Sequence, residues 1–303
     1  MRTNTKYNLS DGAAILLQFF IGRFSLWYFR NISNKRITLI RRQGIGDAIF
    51  CTGVLDEFKK KNTKTQVKLV SNHPNVFSHK SENTYSLSDF PFVWLMYGHY
   101  DFGFFRRKDK HITKIAAEFL GLPPDNNYDS QIEINEADHD KFGLEFINGK
   151  KYIVIHPWAG HWNTQRNWSK GNWDTLVQML REEGYLIYQI GGKEDLPIDG
   201  AMQFNGIATL EECFVLIKNA ELFIGVNSFA EQAAGAFKVR SVVLYGPTNP
   251  IYSLNKNQVA ISGNQVIDHS LLSNLTYEFD LVDNINCRLV YEQAISLLKK
   301  SKG

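Results

Sequence analysis

The sequence has few cysteines, and they stand far apart. Its 303 residues include three, at Cys51, Cys213 and Cys287. No pair has the spacing of a metal site, and an odd number does not suggest a disulfide framework. The cysteines therefore favour a reducing compartment, and a cytoplasmic protein is expected.

A large excess of one charge is also lacking. Lysine and arginine number 34 and the acidic residues 31, which gives a net charge of +3. This balance is too mild to indicate a nucleic-acid partner. Hydrophobic residues make up 44% and charged residues 21%, as is normal for a globular protein, and the length is sufficient for two domains.

The sequence has no apolar run that is long enough to cross a bilayer with ease. Residues 13–29 are nearly all apolar, but a span needs about 20 such residues, and this run contains Arg23. A signal peptide would need small residues at its cleavage site, where bulky aromatic residues stand. Two alternatives stay open: a helix that contacts a membrane surface and a helix packed on the protein's own core.

The same segment has two different faces if it is helical. One face contains Leu16, Phe20, Phe24 and Trp27, and another contains Gln18, Gly22 and Ser25.

Beyond this segment, strand-like runs alternate with helical patterns. Such alternation indicates an α/β fold with mostly parallel sheets. Candidate strands in the first half include 92–96 and 102–105, and the pattern is clearer in the second half. We place the boundary near 149/150. This gives an N-terminal helical segment (1–35), a first domain (36–149) and a second domain (150–303).

The first candidate site is a glycine turn, formed by Gly44 and Gly46, between the first strand and a helix. Glycines allow a ligand to approach the backbone, and a helix N-terminus favours an anion. A dinucleotide fingerprint would have a third glycine at Ile49, so a nicotinamide enzyme is disfavoured. Asp47 either takes a proton from an acceptor hydroxyl or caps the helix.

The second candidate site follows the strand at 152–155. His156 ends the strand, and Arg166, ten residues further on, could neutralise a leaving diphosphate. The alternatives are a hydrogen-bonded core histidine and a solvated loop arginine.

The third candidate site is the turn before a helix rich in small residues. The N–H groups of Ser228 and Phe229 would point at a phosphate, helped by the helix dipole. The alternative is a plain N-cap by Asn227 or Ser228. Gly246 and Thr248 belong to a rigid turn after the next strand, which either lines the same site or is a simple loop.

In this order the motifs resemble glycosyltransferase family 9, the ADP-heptose:lipopolysaccharide heptosyltransferases. The motifs are Gly-Ile-Gly-Asp, Ile-His-Pro-x-Ala, Arg-x-Trp, Gly-Gly-x-Glu, Ile-Gly-x-Asn-Ser and Tyr-Gly-Pro-Thr-x-Pro, from about Arg36 to about Pro250. Each is weak alone, but six in the right order are specific. The resemblance implies a GT-B fold, in which two Rossmann-like doubly wound domains face each other across a cleft.

The resemblance also implies an activity. The enzyme would move a sugar, a heptose in this family, from an ADP-sugar to a hydroxyl of a lipopolysaccharide-core-like glycan or glycolipid. Transfer would be inverting and metal-independent, and the ADP-sugar would be a substrate, with no further cofactor. With the apolar segment 13–29, a peripheral position on the inner face of the cytoplasmic membrane is expected.

Individual roles carry over by position. Asp47 matches the catalytic base, and Arg166 matches a basic residue that meets the donor phosphates. Glu194 falls near the acid that holds the nucleoside. The donor-binding candidates are His156, Glu194, Asn227, Ser228, Phe229, Gln232, Gly246 and Thr248.

The sequence departs from the family at two positions. The family usually has aspartate where Asn227 stands and histidine where Gln232 stands. These changes remove a carboxylate and a titratable ring. They leave open a non-catalytic nucleotide-sugar binder, a transferase for another nucleotide sugar, and an epimerase of similar two-domain build.

Overall fold

The computed structural model describes most of the chain. The described residues are 9–41, 44–73, 76–77, 84, 86–95, 110–123, 126–134, 147, 149–160, 164–274 and 281–300. The predicted strand at 102–105 lies outside them. The chain forms two compact units, Met1–Asp129 and Ser130–Gly303. The boundary expected from the sequence lies further along the chain, just before the first strand of the second unit.

The first unit contains a parallel sheet flanked by helices. Its described elements are α1 (Leu9–Asn31), β1 (Arg36–Arg41), α2 (Ile45–Lys61), β2 (Gln66–Ser71), β3 (Phe92–Trp94) and α3 (Ile112–Phe119). The strand order is β2-β1-β3, and both pairs are parallel. The chain leaves β1 for β2 on one side and reaches β3 on the other. The carboxyl end of β1 is therefore a topological switch point, where ligands bind in such sheets.

Helix α1 packs on the core of the first unit through its small-residue face. Leu26 and Phe29 are buried, and a Cβ at Gly22 would lie 3.4 Å from the Phe119 ring. The helix thus covers β3 and α3, as one of the two alternatives for this segment requires. Within the described residues, no helix is long and apolar enough to span a membrane.

Helix α2 lies so close to the end of the first unit that one of its positions must be glycine. A Cβ at Gly53 would lie 2.2 Å from the Asp129 carbonyl oxygen and 2.8 Å from that of Tyr128. Both neighbours are backbone atoms, which cannot rotate away as a side chain can. The close approach therefore depends on the missing side chain.

The second unit is a larger doubly wound sheet. Its described elements are β4 (Tyr152–His156), α4 (Lys170–Glu182), β5 (Leu186–Gln189), β6 (Met202–Gln203), α5 (Leu210–Lys218), β7 (Leu222–Val226), α6 (Phe229–Ala236), β8 (Ser241–Leu244), β9 (Gln258–Ser262), β10 (Gln265–Asp268) and α7 (Cys287–Lys299). The order is β10-β9-β8-β7-β4-β5-β6, and only the β9–β10 pair among these is antiparallel. The α/β prediction is confirmed. The short strands β6, β9 and β10 were not expected.

The central strands explain the hydrophobic runs of the second half. Every residue of β4 and β7 is buried, as is typical of parallel strands that have helices on both faces. Helices α4 and α7 pack against each other. The Trp168 indole, buried next to them, donates a hydrogen bond of 3.1 Å to the Ile285 carbonyl.

We predict that Gly53→Ala lowers the free energy of unfolding by about 1–3 kcal/mol, because the new Cβ must displace backbone. Urea unfolding followed by circular dichroism measures the change. Gly171→Ala is the matched control: its Cβ would meet nothing within 4 Å, and alanine is the better helix former. Equal stability of wild type and Gly53→Ala would contradict the close packing.

Candidate functional site

Asp47 lies in the first turn of α2, and its carboxylate forms an ion pair with Arg41 at the end of β1. The Arg41 side chain is 1% exposed, whereas that of Asp47 is 36% exposed. The N-cap of this helix is Gly44, so Asp47 does not occupy the capping position. The ion pair holds a solvent-accessible carboxylate at the switch point of the first sheet.

Arg41 is itself held in place by the neighbouring strand. Its Nη1 donates a hydrogen bond of 2.9 Å to the carbonyl of Leu95, directly after β3. His73 lies close enough to sense both charges: burial lowers its pKa, Asp47 opposes this shift, and Arg41 adds to it. Arg41 and His73 thus join Asp47 in one cluster that the sequence did not reveal.

Gly44 is required for this arrangement. Its φ is +38°, in a region of backbone conformation that residues other than glycine rarely adopt. A Cβ there would also lie 2.9 Å from Oδ2 of Asp47. Gly46 is the second residue of α2. The glycine turn therefore makes room for the Asp47 carboxylate.

In the second unit, most of the remaining candidates gather at the switch point between β4 and β7. The chain leaves β4 for β5 and β6 on one side and continues to β7 and β8 on the other. Hydrogen bonds and ring contacts join His156, Arg166, Asn227, Ser228, Phe229 and Thr248.

His156 is a buried residue of this cluster. Its Nδ1 lies 3.0 Å from the Ser228 hydroxyl, and its ring packs edge-on against Phe229, with the ring centroids 5.1 Å apart. Burial lowers the pKa of His156 to about 4. The imidazole is therefore neutral at neutral pH and fixes the turn before α6.

Arg166 joins the loops that follow two adjacent strands. Its Nη1 donates a hydrogen bond of 3.2 Å to the carbonyl of Asn227, after β7. Its Nη2 donates a hydrogen bond of 2.9 Å to the hydroxyl of Thr248, after β8. The guanidinium is thus half-buried and oriented at the carboxyl ends of the strands.

The residues after Arg166 anchor its loop. The Asn167 side-chain oxygen accepts a hydrogen bond of 2.9 Å from the Ala159 amide, and Trp168 is bonded to Ile285. These contacts fix the backbone on which the guanidinium is mounted. A cation fixed before a ligand arrives stabilises negative charge without reorganisation.

Beneath the turn lies a buried carboxylate, Glu231, one helical turn after Asn227. Its Oε2 accepts a hydrogen bond of 2.6 Å from Asn227 Nδ2, and its Oε1 accepts one from the Tyr245 hydroxyl. Ser253 Oγ lies 2.7 Å from that hydroxyl and 3.1 Å from Asn227 Nδ2. Burial raises the pKa of Glu231 to about 7, opposed by the hydrogen bonds from Tyr245 and Asn227.

Gln232 is also directed into the interior. Its Nε2 donates a hydrogen bond of 3.3 Å to the Ser253 carbonyl, and its Oε1 accepts one of 3.0 Å from Asn255. The side chain is 3% exposed. Both departures from the family pattern, Asn227 and Gln232, therefore belong to one buried network.

Glu194 and Gly246 are placed differently. Glu194 is exposed in the turn after β5, where the neighbouring Asp195 accepts a hydrogen bond of 2.7 Å from the Gly192 amide. Gly246 is buried after β8.

No local pattern in the sequence indicates the roles of Glu231, Tyr245 or Ser253, because the partners of a buried polar side chain lie on other elements. Within the described part of the chain, no group of three or more His, Cys, Asp or Glu side chains could hold a metal ion.

We predict a pH-dependent contribution of His156 to stability. Its folded pKa of about 4 lies below the unfolded value of about 6.5, so the unfolded chain binds more protons between these values. Stability from this group is therefore lost as the pH falls from about 6.5 to about 4, by about 3 kcal/mol in total.

Urea titrations of wild type and His156→Gln at pH 7.5 and pH 4.5 measure this effect. We expect the glutamine variant to be the less stable protein at pH 7.5, because the ring packing is lost, and the difference to shrink at pH 4.5. A difference that stays constant with pH would contradict the burial of a neutral imidazole.

Comparison with known proteins gives a family and a fold. The model of glycosyltransferase family 9 (heptosyltransferase) matches residues 110–271, more than half of the 303 residues. No curated protein sequence matches the chain.

Three solved structures illustrate the similarity. A family 9 glycosyltransferase from Veillonella parvula has 16% identity and a TM-score of 0.66, with 88% of this chain and 97% of that chain covered. The E. coli ADP-heptose LPS heptosyltransferase II has 14% identity and a TM-score of 0.58, with coverages of 88% and 100%. E. coli heptosyltransferase WaaC with ADP has 12% identity and a TM-score of 0.59, with coverages of 86% and 99%.

At these identities the structural likeness concerns the fold, and the GT-B prediction is confirmed. The family match agrees with the order of the six motifs. The chain therefore belongs to glycosyltransferase family 9.

Proposed function

We propose that the protein transfers a sugar from an ADP-sugar to a hydroxyl of a glycan or glycolipid acceptor of the lipopolysaccharide-core type, with inversion and without a metal. Heptose is the sugar that the family description suggests. The observation that carries the proposal is Arg166, a guanidinium held by two strand-end loops at the switch point of the second sheet. Such a group suits the leaving diphosphate of a nucleotide sugar.

The nucleotide in the proposal is supported by a structural neighbour, since one E. coli heptosyltransferase contains ADP. In this chain the diphosphate would lie against Arg166 and the start of α6. A neutral His156 would help to hold the turn at Ser228. A helix N-terminus favours an anion through its partial positive charge.

Asp47 is the proposed base. In the reaction its carboxylate takes the proton of the acceptor hydroxyl, and the oxygen attacks the anomeric carbon. The bond from that carbon to the diphosphate oxygen breaks on the opposite face, and ADP leaves with the electron pair. The ion pair with Arg41 supports this role, because it fixes the direction of a solvent-accessible carboxylate.

We predict that Asp47→Asn reduces the transfer rate by at least about 100-fold, because the amide cannot accept the proton. The affinity for ADP stays within about threefold of the wild-type value, because the base acts on the acceptor hydroxyl and does not contribute to donor binding. Transfer is measured as ADP release that depends on the acceptor, with ADP-heptose as donor and EDTA present. ADP affinity is measured by calorimetry.

Two further variants make the test specific. Glu57→Gln removes a carboxylate from the same helix and is expected to leave both quantities unchanged. Arg166→Gln, unlike Asp47→Asn, is expected to lower ADP affinity about tenfold or more, and transfer falls with it because the leaving diphosphate loses its cation. Undiminished transfer in Asp47→Asn would exclude Asp47 as the base, and undiminished ADP affinity in Arg166→Gln would exclude the proposed donor site.

We propose further that α1 brings the enzyme to the inner face of the cytoplasmic membrane. The face of α1 that does not pack on the core is apolar: Leu17 is 60%, Phe20 64%, Phe24 55% and Trp27 52% exposed. Exposed aromatic residues at helical spacing are typical of a helix that lies in a membrane interface.

The surrounding charges fit an anionic lipid surface. Between Gly12 and Gly46 the sequence has no Asp or Glu. Four exposed cations lie on α1 or shortly after it: Arg23, Arg30, Lys35 and Arg36. Cations close to an acidic bilayer add about 1 kcal/mol each to binding. A glycolipid acceptor would be found at the same surface.

We predict that Phe24→Ser/Trp27→Ser lowers binding to phosphatidylglycerol-containing vesicles about tenfold or more, because two aromatic side chains that would enter the bilayer interface are lost. Vesicle co-sedimentation measures the partition. The matched control is Leu196→Ser/Ile207→Ser, which removes two exposed apolar side chains from the second unit and should bind as wild type does. Equal binding of both double variants would contradict the role of α1.

A further inference from the structure

The strongest unused feature of the molecule is the buried carboxylate of Glu231. The side chain is 0% exposed and takes no direct part in the proposed reaction. A buried carboxylate is unfavourable unless hydrogen bonds compensate it. Here both oxygens accept such bonds from side chains, one from Asn227 and one from Tyr245, and the Ser228 backbone N–H donates a further one to the carboxylate. The fold therefore keeps a carboxylate beneath the turn before α6 although removing this group from water is unfavourable.

Asn227 connects this carboxylate to Arg166. Its side-chain Nδ2 donates to Glu231 at 2.6 Å, and its backbone carbonyl accepts from Arg166 Nη1 at 3.2 Å. One residue thus contacts the carboxylate on one side and the guanidinium on the other. A contact that holds the Asn227 side chain therefore also limits the movement of the Asn227 carbonyl, which orients Arg166.

The other contacts of Glu231 strengthen this restraint. Ser253 bonds to Tyr245 and to Asn227, so the carboxylate, the hydroxyls and the amide close a ring. The Gln258 side chain donates a hydrogen bond of 2.7 Å to the backbone carbonyl of Glu231. A ring of buried hydrogen bonds has few alternative arrangements. Asn227, the member of the ring that contacts Arg166, is therefore held in one conformation.

We infer that Glu231 is a positioning residue of the donor site: by holding the Asn227 side chain it fixes the carbonyl that orients Arg166. This inference uses the proposed function only for the ligand, a nucleoside diphosphate. Glu231 itself touches no substrate. Position 227 is where the family resemblance expects aspartate, and in this chain the carboxylate lies one helical turn later.

Two variants of Glu231 with side chains of similar length test the hydrogen bond from Asn227 to Glu231. Glu231→Met keeps the length of the side chain but removes both acceptors, so ADP affinity should fall about tenfold. Glu231→Gln keeps an acceptor for Asn227 and should bind ADP within about threefold of wild type. A loss of affinity in the glutamine variant as large as that in the methionine variant would overturn the role assigned to this hydrogen bond.

Exchanging the donor at position 227 and the acceptor at position 231 tests whether the two side chains are in direct contact. Asn227→Asp alone places two carboxylates in contact, which at pH 8.5 repel each other, and ADP affinity should fall. Adding Glu231→Gln restores a donor opposite the new carboxylate, and affinity should recover to within about threefold of wild type. The recovery follows from the contact between the two side chains, and a double variant no better than Asn227→Asp would overturn the inference.

A second measurement makes the result independent of ADP. Glu231→Met and Arg166→Gln are combined, and the thermal midpoints of the wild type, the two single variants and the double variant are compared. Coupled residues give shifts that are not additive. Additive shifts would overturn the inference even if wild type binds no ADP, whereas absent ADP binding by wild type counts against the proposed function alone.

Discussion

The cluster of polar residues at the strand ends of the second unit depends on one interaction, the contact of the Arg166 guanidinium with the loops after β7 and β8. The Asn227 carbonyl and the Thr248 hydroxyl accept its hydrogen bonds. Because β7 and β8 are adjacent parallel strands, their carboxyl ends already lie side by side. The arginine joins these ends to the loop after β4 and places a fixed cation at the switch point of the second sheet.

Burial of polar groups is the second constraint. The turn before α6 rests on a set of interior amides, hydroxyls and a carboxylate, and each of them needs a partner. Asn227 and Gln232, which differ from the family pattern, are both satisfied within this set. Asn227 and Gln232 are therefore accommodated together with Glu231, Tyr245 and Ser253 beneath the turn before α6.

Helix α1 meets two requirements with two faces. Gly22 and Ser25 let the helix approach β3 and α3 closely, while Phe20, Phe24 and Trp27 remain on the outside. An amphipathic helix normally turns its apolar face inward. Here the inner face is built from small residues and two large apolar ones, so packing on the core leaves the outer aromatic side chains exposed.

The sequence determined the repeating strands and helices, the glycine turns and the order of six motifs, because each depends on residues that are near each other in the chain. These features were enough for the α/β class and the family. Strands β6, β9 and β10 escaped prediction, since their pairing in the sheet is decided by neighbours far away in sequence. Only the tertiary structure decided the partners of the polar groups: Arg41 with Asp47, and Glu231 with Asn227 and Tyr245. Hydrogen bonds and ion pairs depend on distances between atoms of different elements, and no local pattern records those distances.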